Sequence, residues 1–156
     1  MRKPTAFAAP LLAVATVPLA AAVPGTAAAV AASLAVPSPA GGATIAAMRD
    51  QRRVVIVAAP SADDPQLKVQ RRALAGWQHG AADRDITVVE IVGTTVNGAD
   101  DTASAIERRY ALPARRFAVL LIGKDGHVAM RSATPLAAAK LEATIDAMPM
   151  RRAGER

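Results

Sequence analysis

Arg53-Val54-Val55-Ile56-Val57-Ala58-Ala59-Pro60-Ser61-Ala62-Asp63-Asp64-Pro65 is the stretch whose reading decides the fold. Its first half is a continuous apolar run from Val54 to Ala59, β-branched in its first four residues and closed by Pro60. A run without alternation suits a strand buried on both faces, as in the middle of an α/β sheet. Its second half reads as a helix start. An aspartate able to accept from free backbone amides is followed by Pro65 at the first helical position, where the missing N–H is not needed.

Working outward from this stretch, the helix entered at Pro65 carries Leu67, Leu74, Trp77 and Ala81 on one face of a 3.6-residue period. Arg71 lies at the edge of that face, from which an arginine head snorkels outward. Asp83-Arg84-Asp85 is a turn, and Ile86 to Val92 is a second strand bounded by Gly93. Thr94 to Asp101 is polar, contains Asn97-Gly98 and reads as a loop. Asp101 or Thr102 can cap a short helix with Ala103, Ile106 and Tyr110 on its apolar face, and Pro113 stops it.

Phe117 to Ile122 is the most apolar strand of the domain. Gly123-Lys124-Asp125-Gly126 is a tight turn, with a glycine to supply the positive φ. His127 to Arg131 returns as a strand, and Thr134-Pro135 opens a last helix bearing Ala138, Leu141, Ile145 and Met148. The order β-α-β-α-β-β-α predicts an α/β fold, a four-stranded mixed sheet with helices on both faces. The first two strands should be parallel and the last two an antiparallel hairpin. This is the thioredoxin-like arrangement.

Upstream, Arg2 and Lys3 precede an uncharged stretch from Ala6 to Val23, and small residues follow in the A-x-A pattern. This is the layout of a secretory signal peptide, expected over residues 1–29. An uncleaved anchor is the rival reading, weakened by Pro10, Pro18 and Pro24. Residues 30–48, mostly Ala, Pro, Gly and Ser, read as a flexible tether, and the domain is expected over 49–152. The expected location is periplasmic or secreted.

Composition excludes several activities. There is no cysteine among the 156 residues, so a disulfide framework, a thiol nucleophile and a dithiol redox centre are ruled out. The two histidines, His79 and His127, are too far apart in sequence to suggest a metal cluster, and no metal or cofactor is expected. The formal net charge of +6 falls by two if Arg2 and Lys3 leave with the leader. Basic and acidic residues are then interleaved, and with only Trp77, Tyr110 and Phe117 as aromatics outside the leader, nucleic-acid binding is not expected.

The Arg53–Pro65 stretch, Gln70-Arg71-Arg72, Leu121 to Gly126 and Thr144 to Arg151 together resemble a family of exported bacterial proteins of unknown function. Over about residues 49 to 152 the chain is similar to the DUDES-type domain, a thioredoxin-like domain also found in vertebrate extracellular proteins of the sushi-repeat and coiled-coil-domain-containing kind. The resemblance implies a fold and an exported location, and no reaction. Where redox-active thioredoxins carry two cysteines at the start of the first helix, this chain has Ser61-Ala62-Asp63-Asp64, and Arg115-Arg116 replace the cis-proline before the third strand.

Open α/β sheets bind ligands at strand carboxyl ends, so the loop after the first strand is the place to look. Ser61, Asp63 and Asp64 belong to it, and Arg115 or Arg116 can approach from the loop before the third strand. These five are the candidate ligand-binding residues, with guanidinium suited to planar oxyanions. The plain alternative is a helix cap worth ~1 kcal/mol, with Arg116 pairing with an aspartate. No catalytic residue is assigned, because Ser61 lacks a base within reach. The expected function is a non-redox binding or structural module of the cell envelope, taking an envelope protein or small ligand and meeting the membrane only through an uncleaved leader. The alternative is a cysteine-independent enzyme with a polar site at the same helix N-terminus.

Overall fold

The computed structural model describes residues 42–149 and residue 154. The expected leader, residues 30–41 of the expected tether, and residues 150–152 of the expected domain lie outside them. The elements are β1 (Arg53–Ala59), α1 (Pro65–Ala75), α2 (Gln78–Ala82), β2 (Ile86–Val92), β3 (Thr95–Asn97), α3 (Ala103–Tyr110), β4 (Ala118–Ile122), β5 (Val128–Ser132) and α4 (Ala138–Asp146). They form a mixed α/β fold around one sheet of order β3-β2-β1-β4-β5.

All seven residues of β1 are buried, and this strand is the middle of the sheet. It pairs parallel with β2 and antiparallel with β4, and β4 pairs antiparallel with β5. Alternate residues of β1 feed two separate cores. Val54, Ile56 and Ala58 pack with Ile106 and Tyr110 of α3 on one face. Val55, Val57 and Ala59 pack with Leu67 and Leu74 of α1 and Leu141 and Ile145 of α4 on the other. Full burial of each such aliphatic side chain contributes roughly 1.5–3 kcal/mol, so β1 alone anchors both layers.

Four expectations need correcting. The sheet has five strands, not four, because Gly93 (φ 59°) turns the chain back and β3 pairs with β2 through Ile91 and Val96. Its one apolar residue, Val96, gave no period to read. A Cβ on Gly98 (φ 92°) would sit 2.3 Å from the Val88 carbonyl oxygen, so only glycine lets β3 leave β2 so closely. The first helix is also two pieces, broken at Gly76-Trp77, although Leu67, Leu74, Trp77 and Ala81 are all buried as the period requires.

The last helix starts at Ala138 and not at Thr134-Pro135, with no side chain capping it. Buried Gln70 is the reason. Its Oε1 accepts from the Leu136 amide at 2.6 Å and its Nε2 donates to the Leu136 carbonyl at 3.1 Å, so both backbone groups of Leu136 are held outside the helix. The packed chain, finally, includes residues upstream of the boundary at 49. Ile45 and Met48 are buried in the α3-side core, and the Ile45 amide donates to Asp101 Oδ2 at 2.6 Å.

Candidate functional site

The predicted site residues gather at one end of the sheet. Ala58 pairs with Ala118, so Pro60-Ser61 and Arg115-Arg116 leave neighbouring strands at the same end. Asp64 is the N-cap of α1: its Oδ1 accepts from the Gln66 amide at 2.8 Å and the Leu67 amide at 3.1 Å. Asp63 is almost fully exposed and pairs with Lys68 at 3.1 Å. Ser61 is exposed, and its carbonyl accepts from the Asp64 amide at 3.3 Å.

Arg115 and Arg116 are exposed, and among the described residues neither forms an ion pair with the aspartates. Arg115 adopts φ 54°, the left-handed region that a side chain enters at a cost. The sheet end therefore presents a hydroxyl, a carboxylate and two guanidinium groups to solvent. Asp64 has a fixed local task as the cap of α1, and Asp63 pairs with Lys68 in solvent.

A second site lies at the opposite end of the sheet, where sequence reasoning did not look. A cavity of about 230 Å³ opens between the start of β1, the β4–β5 turn and the chain after α4. Arg53, Gly123, Lys124, Asp125 and His127 supply its polar wall, and Ala129, Met148 and Pro149 its apolar wall. The turn is an Asp-Gly structure with Gly126 at φ 80°, in which the His127 amide donates to Asp125 Oδ1 at 3.0 Å. His127 Nδ1 lies 3.4 Å from Asp125 Oδ2, and both side chains are exposed at the mouth.

Deeper in, two cations are withdrawn from water. Arg53 is 1% exposed, and its Nη1 donates to the Arg84 carbonyl at 2.9 Å. Lys124 is 8% exposed, with Nζ 3.0 Å from Asp85 Oδ2. Buried charges require compensation, and Asp85 supplies a counter-charge to Lys124. The sequence signal for either residue was a basic side chain flanking a buried strand, which fits a solvated residue equally well.

Around this end, Arg84 forks onto Asp146 with Nε to Oδ1 at 3.0 Å and Nη2 to Oδ2 at 2.7 Å, and Nη2 also meets Glu142 at 2.5 Å. The hydrogen bonds to Asp146, then its charge and that of Glu142, hold the Arg84 guanidinium still more firmly protonated than usual. Arg71 is held the same way by Glu90, with contacts of 2.9 and 2.5 Å. Among the described residues no three His, Asp or Glu side chains converge as a metal site would require.

The chain belongs to the family described as Domain of unknown function (DUF4174), which matches residues 44–154. That span begins just ahead of Ile45, in agreement with the packing of Ile45 and Met48. No curated protein and no solved structure matches the chain.

Proposed function

We propose that this member of the DUF4174 family is an exported, thioredoxin-like binding module of the cell envelope that has no redox chemistry. The strand order β2-β1-β4-β5 supports the thioredoxin-like reading, since it keeps the parallel first pair and the antiparallel closing hairpin. The charged start and small-residue end of the leader support export. Lack of cysteine removes the chemistry that scaffold usually carries.

One observation carries the functional reading: Ser61, Asp63, Arg115 and Arg116 stand exposed together at one sheet end while Asp64 is committed to the cap. Exposed mixed polar groups suit recognition of a protein or ligand surface. They do not suit proton transfer, which needs a group positioned against the substrate and shielded from water. Asp64 Oδ1 already accepts two amides, and Asp63 faces solvent, so an acid–base role for the pair is disfavoured.

The test is capture from envelope extract by the exported protein, comparing wild type with Arg116→Ala and with Arg115→Gly. A bound species retained by wild type and lost from Arg116→Ala supports the reading. Identical retention by all three proteins overturns it. So does a turnover activity that Asp64→Asn abolishes without unfolding the chain.

A further inference from the structure

We infer that the arginine-rich end of the sheet is a docking surface for an anionic lipid bilayer. The inference rests on the reading of that end as the recognition surface of an exported module, and it names the partner. The contact belongs to the folded domain itself and is separate from any made by a retained leader.

Placement comes first. The last turn of α3 carries Arg108 and Arg109, and the loop that follows returns the chain to β4 through Arg115 and Arg116. Arg131 of β5 reaches the same corner, where its guanidinium donates to the Tyr110 and Ala111 carbonyls. The fork of Arg131 is therefore occupied. Arg108, Arg115 and Arg116 are exposed, and among the described residues none of the three forms a side-chain hydrogen bond or ion pair.

Charge comes next. Residues 108–123 contain four arginines and no aspartate or glutamate. Arg71 and Arg84, by contrast, are met by carboxylates of the fold, Glu90 for one, Asp146 and Glu142 for the other. At this sheet end the acids are engaged or apart. Asp64 accepts two α1 amides, Asp63 pairs with Lys68, and Glu107 forms no ion pair with the arginines that follow it. Positive charge is left facing solvent, and its counter-charge comes from outside the chain. Arg115 adds an independent sign. It holds φ 54°, where glycine would be free of strain, and no side-chain bond offsets that cost. A strained residue without a partner in the fold points to a task outside it.

Chemistry then selects among anionic partners. Guanidinium forks match the phosphate oxygens of lipid headgroups. Here they are spread over a helix end and a loop, which suits a plane of many phosphates better than one enclosed anion. Ala111, Pro113 and Ala114 between them are exposed and small, so headgroups can approach closely. Tyr110 and Phe117, the aromatics of this segment, are buried in the two cores and offer nucleic-acid bases no platform for stacking.

The test is co-sedimentation of the full chain with vesicles of phosphatidylglycerol and phosphatidylcholine in equal parts. Vesicles of phosphatidylcholine alone measure what the apolar leader contributes. Expected is a saturable gain in binding from phosphatidylglycerol, lost at about 1 M salt, where the screening length is about 3 Å. Arg115→Gln combined with Arg116→Gln should weaken that gain by about twenty-fivefold, roughly fivefold for each arginine, at an unchanged melting temperature. The charge-matched control, Arg49→Gln with Arg72→Gln, alters two exposed arginines elsewhere and should bind like wild type. Equal binding to both vesicle types, an equal loss in the control, or tighter binding to soluble polyphosphate or polyglutamate would each overturn the inference. If vesicle binding fails while capture from envelope extract still depends on Arg116, the lipid assignment alone falls. If both fail, the recognition reading falls with it.

Discussion

Asp64 is the position where a single side chain was most legible and is most readily tested. Its signal is local, an acceptor two and three residues ahead of the amides it receives, so sequence alone revealed it. Replacing it with alanine should cost about 1 kcal/mol in chemical denaturation, and Asp64→Ser should recover most of that loss. Gly80 gave no such signal. A Cβ there would lie 2.1 Å from Trp77 Nε1, so Gly80→Ala must displace the indole from its present position in the α1-side core. About 1–3 kcal/mol of destabilisation is expected, with altered emission from the single tryptophan. Tyr110, also the single residue of its type, is buried, and burial pushes its phenol pKa up, with the Arg109 charge partly opposing. Stability from the neutral phenol is therefore complete below the ordinary value of about 10 and is lost as pH rises through the higher folded-state value. Phenolate absorbance should show a midpoint above that of the denatured chain, and Tyr110→Phe should flatten the alkaline loss of stability. Equal midpoints in folded and denatured protein would refute this account.

Helices and strands here were legible where their own period set them and illegible where a distant side chain did. Leu67, Leu74, Trp77 and Ala81 announced a buried face, and it is buried even though the helix breaks beneath it. The start of α4 was misread because Thr134-Pro135 looks like an opening, whereas the decision belongs to Gln70, 66 residues before the Leu136 that it holds. Gln70→Leu should leave the Leu136 amide and carbonyl without these bonds at a cost of about 1–3 kcal/mol, with faster hydrogen exchange at Leu136. Arg84 fastens α4 to the turn before β2 through Asp146 and Glu142. Its head is largely buried while both carboxylates are partly exposed, so Arg84→Ala should cost about 1–3 kcal/mol, less than a fully buried pair. Lysine cannot reproduce the fork, and Arg84→Lys should melt between wild type and alanine. The C-terminus of α3 is fastened in a comparable way, since Arg131 of β5 donates to the carbonyls of Tyr110 and Ala111 at 2.6 and 2.9 Å.

For the molecule as a whole, the run from Val54 to Ala59 gave the architecture because no outer strand could bury so many apolar residues on both faces. The remainder of the sheet followed from connection rules, except β3, whose three residues carry too little pattern. The exposed candidate group was legible as well, because it occupies the loops that this architecture exposes. The cavity was not, since its walls come from segments that meet only on folding. The uniform β1 has a further consequence. A strand that alternates is held in frame by the penalty of turning its apolar side to water, but β1 shifted by one residue would still offer aliphatic side chains to both layers. What resists such slippage is Arg53, whose amide and guanidinium hold the Asp85 and Arg84 carbonyls and whose displacement would drive a charge into hydrocarbon. The same arginine thus acts as an alignment key during folding, and Arg53→Leu should yield a chain that collapses into competing pairings before it loses compactness.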